Sequence, residues 1–196
     1  MITESAYAKI NLVLEVLYKR DDNYHEIVSI MQTVSLKDTL TFEVADNISL
    51  KCNVEHLGNS DNLVQKAAAL LKLETGYSGG AEIELSKGIP VSAGLGGGSS
   101  DAAATLKGLN TLWQLGLSMD DLEPLGALLG SDVPFFLRGG TAMVHGHGEK
   151  VRVMPPAGLK RVIILVPTIS LRRKTAELYS KITCADYTKG ALTRKL

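Results

Sequence analysis

The sequence predicts a mixed α+β fold on three observations. Residues 8–18 alternate with a period near two, with Ile10, Leu12, Leu14 and Val16 on one side and Asn11, Val13, Glu15 and Leu17 on the other, the signature of a strand. Residues 63–72 carry apolar side chains at helical spacing behind the capping candidates Ser60 and Asp61. A glycine-rich loop at 94–98 then runs into Ser99, Ser100 and Asp101, good capping residues for a helix over 102–113.

The remaining elements follow in chain order. The polar stretch 19–23 turns the chain, and the β-branched run 27–34 reads as strand or helix. Strands are expected over 39–44, 48–54 and 81–85, the last with Ile83 and Leu85 on one face, after a glycine break at 76–80. Ser118 and Asp121 open a further helix like a capping box. Pro124 predicts a kink in that helix or a late start, because an interior proline removes a donor and crowds the preceding turn. Gly139 and Gly140 form a turn, after which 141–144 and 150–154 pair as strands. The Pro155-Pro156 pair is the expected boundary between a domain over 1–154 and the start of another over 155–196, since two prolines stop helix and ladder alike. Beyond it, 161–166 reads as a buried strand and 174–182 as a helix.

A chain of 196 residues with 45% hydrophobic content can bury a real core, as one domain or one plus part of a second. Charge is balanced, 21 Lys+Arg against 21 Asp+Glu, which argues against a nucleic-acid partner. The one sharp basic run, Arg172, Arg173 and Lys174, reads as a solvated face. Cys52 and Cys184 have no histidines at ligand spacing, so no structural zinc is expected. The start at Met1 resembles neither signal nor transit peptide, and no apolar run nears the ~20 residues that span a bilayer. The expectation is a cytoplasmic protein without a membrane partner.

Three constellations carry chemistry. The first is Pro90-Val91-Ser92-Ala93-Gly94-Leu95-Gly96-Gly97-Gly98-Ser99-Ser100-Asp101. Glycines let successive N–H groups turn inward, and the helix that follows adds its own free donors, making a cradle for a di- or triphosphate. The serines add hydroxyls, or an oxygen for a metal carried by the nucleotide. A dinucleotide fingerprint would need a third glycine where Ser99 stands, and a Walker A loop would need a lysine after the glycines; a turn without ligand is the bland alternative. The second is Gly130-Ser131-Asp132-Val133-Pro134-Phe135-Phe136, where Asp132 is either a partly desolvated general base or simply the cap of a helix beginning at Pro134. The third is Lys9, within Ala8-Lys9-Ile10-Asn11-Leu12, which either enters a site or is an exposed strand lysine. Tyr24-His25 either binds a base or covers a loop.

In their order along the chain, these blocks are similar to those of the GHMP kinases, over nearly all of residues 6–154. Tyr24-His25 and the Gly-Ser-Asp-Val-Pro-Phe-Phe block resemble the branch that acts on a cytidine-diphosphate-linked methylerythritol. The resemblance implies a two-layer α/β sandwich related to the second domain of ribosomal protein S5, a C-terminal α+β domain begun by the last residues, and a site in the cleft between them. It implies ATP with Mg²⁺ and phosphorylation of a hydroxyl on a small-molecule substrate of isoprenoid precursor synthesis. Asp132 would accept the hydroxyl proton, and Lys9 would pair with it and stabilise the transferring phosphoryl group. Pro90, Gly94, Leu95, Gly96, Gly97, Gly98, Ser99 and Ser100 would hold the phosphates, with Asn62 and Lys87 near the adenosine. Tyr24, His25 and Tyr179 would hold the cytosine, with Asn11 nearby and Thr175 at the ligand's edge. Chains of the family are longer and carry a further glycine-containing loop, so a C-terminally truncated chain with an exposed apolar 161–166 segment is expected. The competing functions are another GHMP kinase, a nucleotide-binding fragment without turnover, and a purely structural protein.

Overall fold

A computed structural model describes residues 1–158, 161–166 and 174–193. The elements are β1 (Ile2–Lys19), β2 (His25–Ala45), β3 (Ser49–Cys52), α1 (Leu63–Thr75), β4 (Gly80–Ser86), α2 (Gly97–Leu112), α3 (Met119–Leu129), α4 (Val133–Arg138), β5 (Thr141–Gly146), β6 (Lys150–Met154) and α5 (Lys174–Ser180). Single 3-10 turns lie at Glu55–Leu57 and Cys184–Asp186.

The long strand β2 is the spine of the sheet. The runs 27–34 and 39–44 are one strand, not two. β1 pairs with it antiparallel along nearly its full length, from Ile2 opposite Phe42 to Lys19 opposite His25. On the other side, β4 pairs with the second half of β2 and β5 with the first. β3 adds parallel to β4, and β6 closes a hairpin on β5. Three register shifts interrupt β1, at Tyr7/Lys9, Asn11/Val13 and Val16/Tyr18. Such bulges re-aim side chains, and here the simple alternation expected over 8–18 fails. Ala6, Ala8 and Lys9 are buried, Leu12 and Leu14 are exposed, and Glu15 is buried.

Helices α1 to α4 supply the second layer, with α2 against β1, β2 and the other three. The core joins Leu40, Phe42, Ile83 and Leu85 of the sheet to Val64, Leu71, Leu106 and Leu109 of the helices, with Phe135 from α4. A Cβ on Gly108 would stand 2.5 Å from the Phe42 ring, so only glycine lets α2 lie this close to β2. Trp113, at the end of α2, stacks on Tyr77 and donates to the Gly80 carbonyl at 3.2 Å.

Three expectations are corrected and one, the start of α3, is narrowed. The cap of α1 is Asn62, not Ser60 or Asp61; its side chain accepts from the Val64 N–H. Helix α2 starts inside the glycine run, at Gly97, so Ser99, Ser100 and Asp101 lie within its first turns instead of before it. Helix α3 starts directly after Ser118, whose capping box with Asp121 is formed, and continues through Pro124; the cap offsets the bond that proline cannot make. Finally, 161–166 is not a buried strand: Ile163 and Leu165 are 87% and 88% exposed, in line with the expected exposed apolar segment, while Ile164 packs against Ala8, Ile89 and Leu95. Apolar β-branched residues form a strand only where they pair with a neighbouring edge, and among the described residues this segment pairs with no strand. The run at Arg172 and Arg173 lies outside the described residues, as do the side chains of Lys174 and Thr175. No helix among the described residues is long and apolar enough to cross a membrane.

Candidate active site

The chain from β4 to α2 bends through Ser92, Gly94 and Gly96, all at positive φ. Ser92 is the costly one, and strain of this kind gathers at functional loops. Gly96 is required twice over. Its φ is +73°, and a Cβ there would stand 2.5 Å from Cζ of Phe136 and 3.2 Å from Cγ of Lys9. The loop is thus pressed between β1 and α4. Two bonds hold it to β1: the Lys9 N–H donates to the Leu95 carbonyl at 3.0 Å, and the Ser100 hydroxyl to the Tyr7 carbonyl at 2.7 Å.

The first intrahelical bond of α2 runs from Ser100 N–H to the Gly96 carbonyl. The N–H groups of Gly97, Gly98 and Ser99 therefore have no helical acceptor, and the helix dipole adds positive potential there. They line an open cleft of about 480 Å³ that also takes in Pro90, Gly94, Leu95, Asn62 and Lys87. An anion is the ligand such an end favours. The two serines part company: Ser99 faces the cleft, while Ser100 is buried with its hydroxyl on Tyr7.

Asn62 and Lys87 reach the cleft while bound to the protein. The Asn62 side chain accepts from Val64 N–H at 2.9 Å and donates to the Leu57 carbonyl at 2.7 Å. Asn62→Ala should lower stability by about 1 kcal/mol, the worth of a cap. Urea unfolding measures this, and Asn62→Asp, which keeps the cap acceptor, should recover most of the loss. The Lys87 ammonium sits between Asp38 at 2.5 Å and Asp101 at 2.7 Å. The other oxygen of Asp38 accepts from Gly88 and Ile89 N–H at 2.6 and 2.7 Å. Burial opposes the ammonium, but Asp101 and Asp38 together raise the pKa of Lys87. Burial, only partly offset by Lys87, pushes Asp101 up to about 7. Neither partner was legible as such: Asp38 falls between the runs 27–34 and 39–44, and Asp101 reads as a cap.

Lys9 and Asp132 meet on the other side of the glycine loop. The bulge after Tyr7 turns Lys9 inward, where it is 6% exposed. Its ammonium lies 3.3 Å from Asp132 Oδ2 and 3.2 Å from Asn11 Oδ1. Asp132 stands at the cap position of α4, but its side chain makes no capping bond. The carboxylate is therefore free to face Lys9, and it remains 29% exposed on its side chain.

A group of rings flanks this pair. His25 lies 5.4 Å from Tyr179 of α5 and 6.2 Å from Tyr187, centroid to centroid. Its Nε2 is buried and has no hydrogen-bond partner among the described residues. Tyr24 packs on His147 at 4.8 Å, and His147 Nδ1 lies 2.7 Å from the Ser131 hydroxyl, next to Asp132. Burial, and then the charge of Asp132, raise the phenol pKa of Tyr179. His147 and Tyr187 carry no sequence signal, since a histidine in a hairpin and a tyrosine near a terminus are commonplace.

The family described as GHMP kinases N terminal domain matches residues 62–140. A protein of Dehalococcoides mccartyi (strain ATCC BAA-2266 / KCTC 15142 / 195) named 4-diphosphocytidyl-2-C-methyl-D-erythritol kinase is 45% identical over 197 residues, covering 100% of this chain and 69% of its own length. A protein of the same name from Heliobacterium modesticaldum is 50% identical over 166 residues, 83% of this chain and 53% of that one. This chain thus spans only part of the relatives it matches. A crystal structure of 4-(cytidine 5'-diphospho)-2C-methyl-D-erythritol kinase superposes with a TM-score of 0.79 at 35% identity, over 95% of this chain and 66% of that one. The mevalonate kinase of Methanococcus jannaschii shares the fold alone, with a TM-score of 0.62 at 17% identity over 79% of this chain and 56% of that one.

Proposed function

We infer that this chain, which belongs to the 4-diphosphocytidyl-2-C-methyl-D-erythritol kinases and has the GHMP kinase fold, phosphorylates the 2-hydroxyl of 4-diphosphocytidyl-2-C-methyl-D-erythritol with ATP. The observation that carries the reading is the Lys9–Asp132 pair at 3.3 Å, set against the glycine loop by the close approach of Gly96 to both Lys9 and Phe136. Residues 1–154 are the nucleotide-binding unit in this reading, and 155–196 begin the second domain.

The chemistry follows from what these residues can do. Asp132 accepts the proton of the substrate hydroxyl as its oxygen bonds to the γ-phosphorus, the bond to the β-phosphate oxygen breaks, and ADP leaves. Lys9, with Asn11 beside it, orients Asp132 and offsets negative charge on the transferring group. The N–H groups of Gly97, Gly98 and Ser99 bind the phosphates. Phosphoryl transfer relies on such positioning and charge neutralisation more than on covalent help from the protein. Mg²⁺ supplies further neutralisation when bound with the nucleotide. Ser99, which lines the cleft, would offer that ion a protein oxygen.

At the other end, His25 has a ring nitrogen without a partner among the described residues, beside Tyr179, a setting for the polar edge and flat face of a cytosine. Those rings favour this substrate over the alcohols of other GHMP kinases. The test is ATP-dependent phosphorylation by the purified chain, with His25→Ala alongside. The variant should raise KM for the cytidine-bearing substrate about tenfold or more, as for a lost hydrogen bond, and leave KM for ATP near its starting value. An equal loss for both would contradict the assignment. ATP binding without any turnover would favour a nucleotide-binding fragment.

A further inference from the structure

Glu15 is a charged side chain buried where β1 would otherwise be apolar. It is 2% exposed, between the exposed Leu14 and the half-buried Val16. A buried carboxylate is costly unless donors surround it, and among the described residues its donors come from the far end of the chain. Thr193 donates its N–H at 2.7 Å and its hydroxyl at 2.5 Å, and Leu192 its N–H at 3.3 Å. One turn earlier, Thr188 N–H donates to the Val16 carbonyl at 2.9 Å. Gly190 packs on Leu17 and Val28, and Thr193 is itself 2% exposed. Residues 187–193 are thus strapped across the β1–β2 hairpin, whose turn leads into His25.

The segment ahead of the strap is closed by a local turn. Thr183 gives both its N–H and its hydroxyl to Asp186 at 2.9 Å, closing the turn Cys184–Asp186. Between that turn and the Thr188–Val16 bond stands Tyr187, edge-on to His25 with an interplanar angle of 64°. His25 is therefore contacted by two rings, Tyr179 and Tyr187, while its buried Nε2 has no partner among the described residues.

We propose that this strap completes the cytidine end of the site: Tyr187 fixes the orientation of His25 toward the base, and Glu15 is the positioning residue that latches Tyr187 in place. The inference rests on the reading of His25 as a cytosine-binding residue. The latch is insensitive to ordinary changes of pH. The Thr193 hydroxyl, ahead of its N–H, holds the Glu15 carboxyl down at about 2 against an ordinary 4.5. Its stabilising contribution is therefore complete above about 4.5 and is lost only as pH falls through 2.

Calorimetric titration of the full chain with CDP and, separately, with ATP tests this. Tyr187→Ala and Glu15→Gln should each weaken CDP about tenfold, as for a hydrogen bond from His25 lost with its orientation, and change ATP affinity less than about twofold. Tyr187→Phe should restore CDP binding, because the ring and not the hydroxyl contacts His25. In Glu15→Gln, amide exchange over 187–193 should speed up while that of β2 stays slow. Thr193→Val, which removes one donor and leaves the carboxylate, should act in the same direction more weakly, and serves if Glu15→Gln does not fold. Unchanged CDP affinity in Tyr187→Ala, or an equal loss of CDP and ATP, overturns the proposal. If the unaltered chain binds ATP but not CDP, the cytidine reading of His25 fails and takes this inference with it.

Discussion

Asp132→Asn will reduce phosphoryl transfer by about a thousandfold, within the range for loss of a positioned general base, while ATP binds with little change. The amide keeps the size of the carboxylate and can still accept from Lys9, but it cannot take the hydroxyl proton. Fold and cleft should survive, because the Asp132 side chain makes no capping bond to α4. The cost in stability should fall well below the roughly 3–5 kcal/mol of breaking a fully buried ion pair, since this carboxylate is 29% exposed on its side chain and Asn11 still accepts from Lys9. Single-turnover rates, ATP calorimetry and thermal unfolding of the variant decide the point together. A normal rate with intact binding would remove Asp132 as the base.

Lys87→Met should be the most destabilising single change at the cleft. It leaves two carboxylates, 0% and 3% exposed on their side chains, facing one another without the cation between them. Removing one partner of such a buried group costs about 3–5 kcal/mol. The loss should shrink in acid. Burial raises the Asp101 carboxyl from 3.8 to about 7 in the folded chain, so between those values the folded chain holds a proton that the unfolded chain has released. The contribution of this group to stability is therefore complete below about 4 and is lost as pH rises through about 7. Without Lys87 the remaining charge on Asp38 favours protonation further, so Lys87→Met should fall short of the parent by most at pH 8 and by least near pH 5. Adding Asp101→Asn should recover much of the deficit at pH 8, since a neutral amide then faces Asp38. Urea unfolding at three pH values measures all of this. A Lys87→Met chain as stable as the parent at pH 8 would show that the triad does not hold the loop.

The signals read along the chain were local ones. The glycine run, the Gly-Ser-Asp-Val-Pro-Phe-Phe block, the Ser118–Asp121 box and the β5–β6 hairpin each lie within a short window, where residue type and spacing determine backbone geometry. Alternation in β1 misled because a bulge moves every later side chain to the other face, and bulges have no fixed residue signature. The strand expected at 161–166 misled for the opposite reason: the pattern is there, but a strand also needs an edge to pair with.

Residue order alone was enough for the mixed fold, the glycine cradle and its following helix, and the resemblance that set Lys9 and Asp132 in one site. Packing in three dimensions was needed to turn Lys9 inward to 3.3 Å from Asp132, to hold Lys87 between Asp38 and Asp101, and to bring the chain's far end onto Glu15 through Thr193. The physical reason is common to all three. A buried charge is tolerated only where opposite charges or donors converge on it, and those partners come from elements far apart in sequence. Their meeting depends on how β1, β2 and α2 pack.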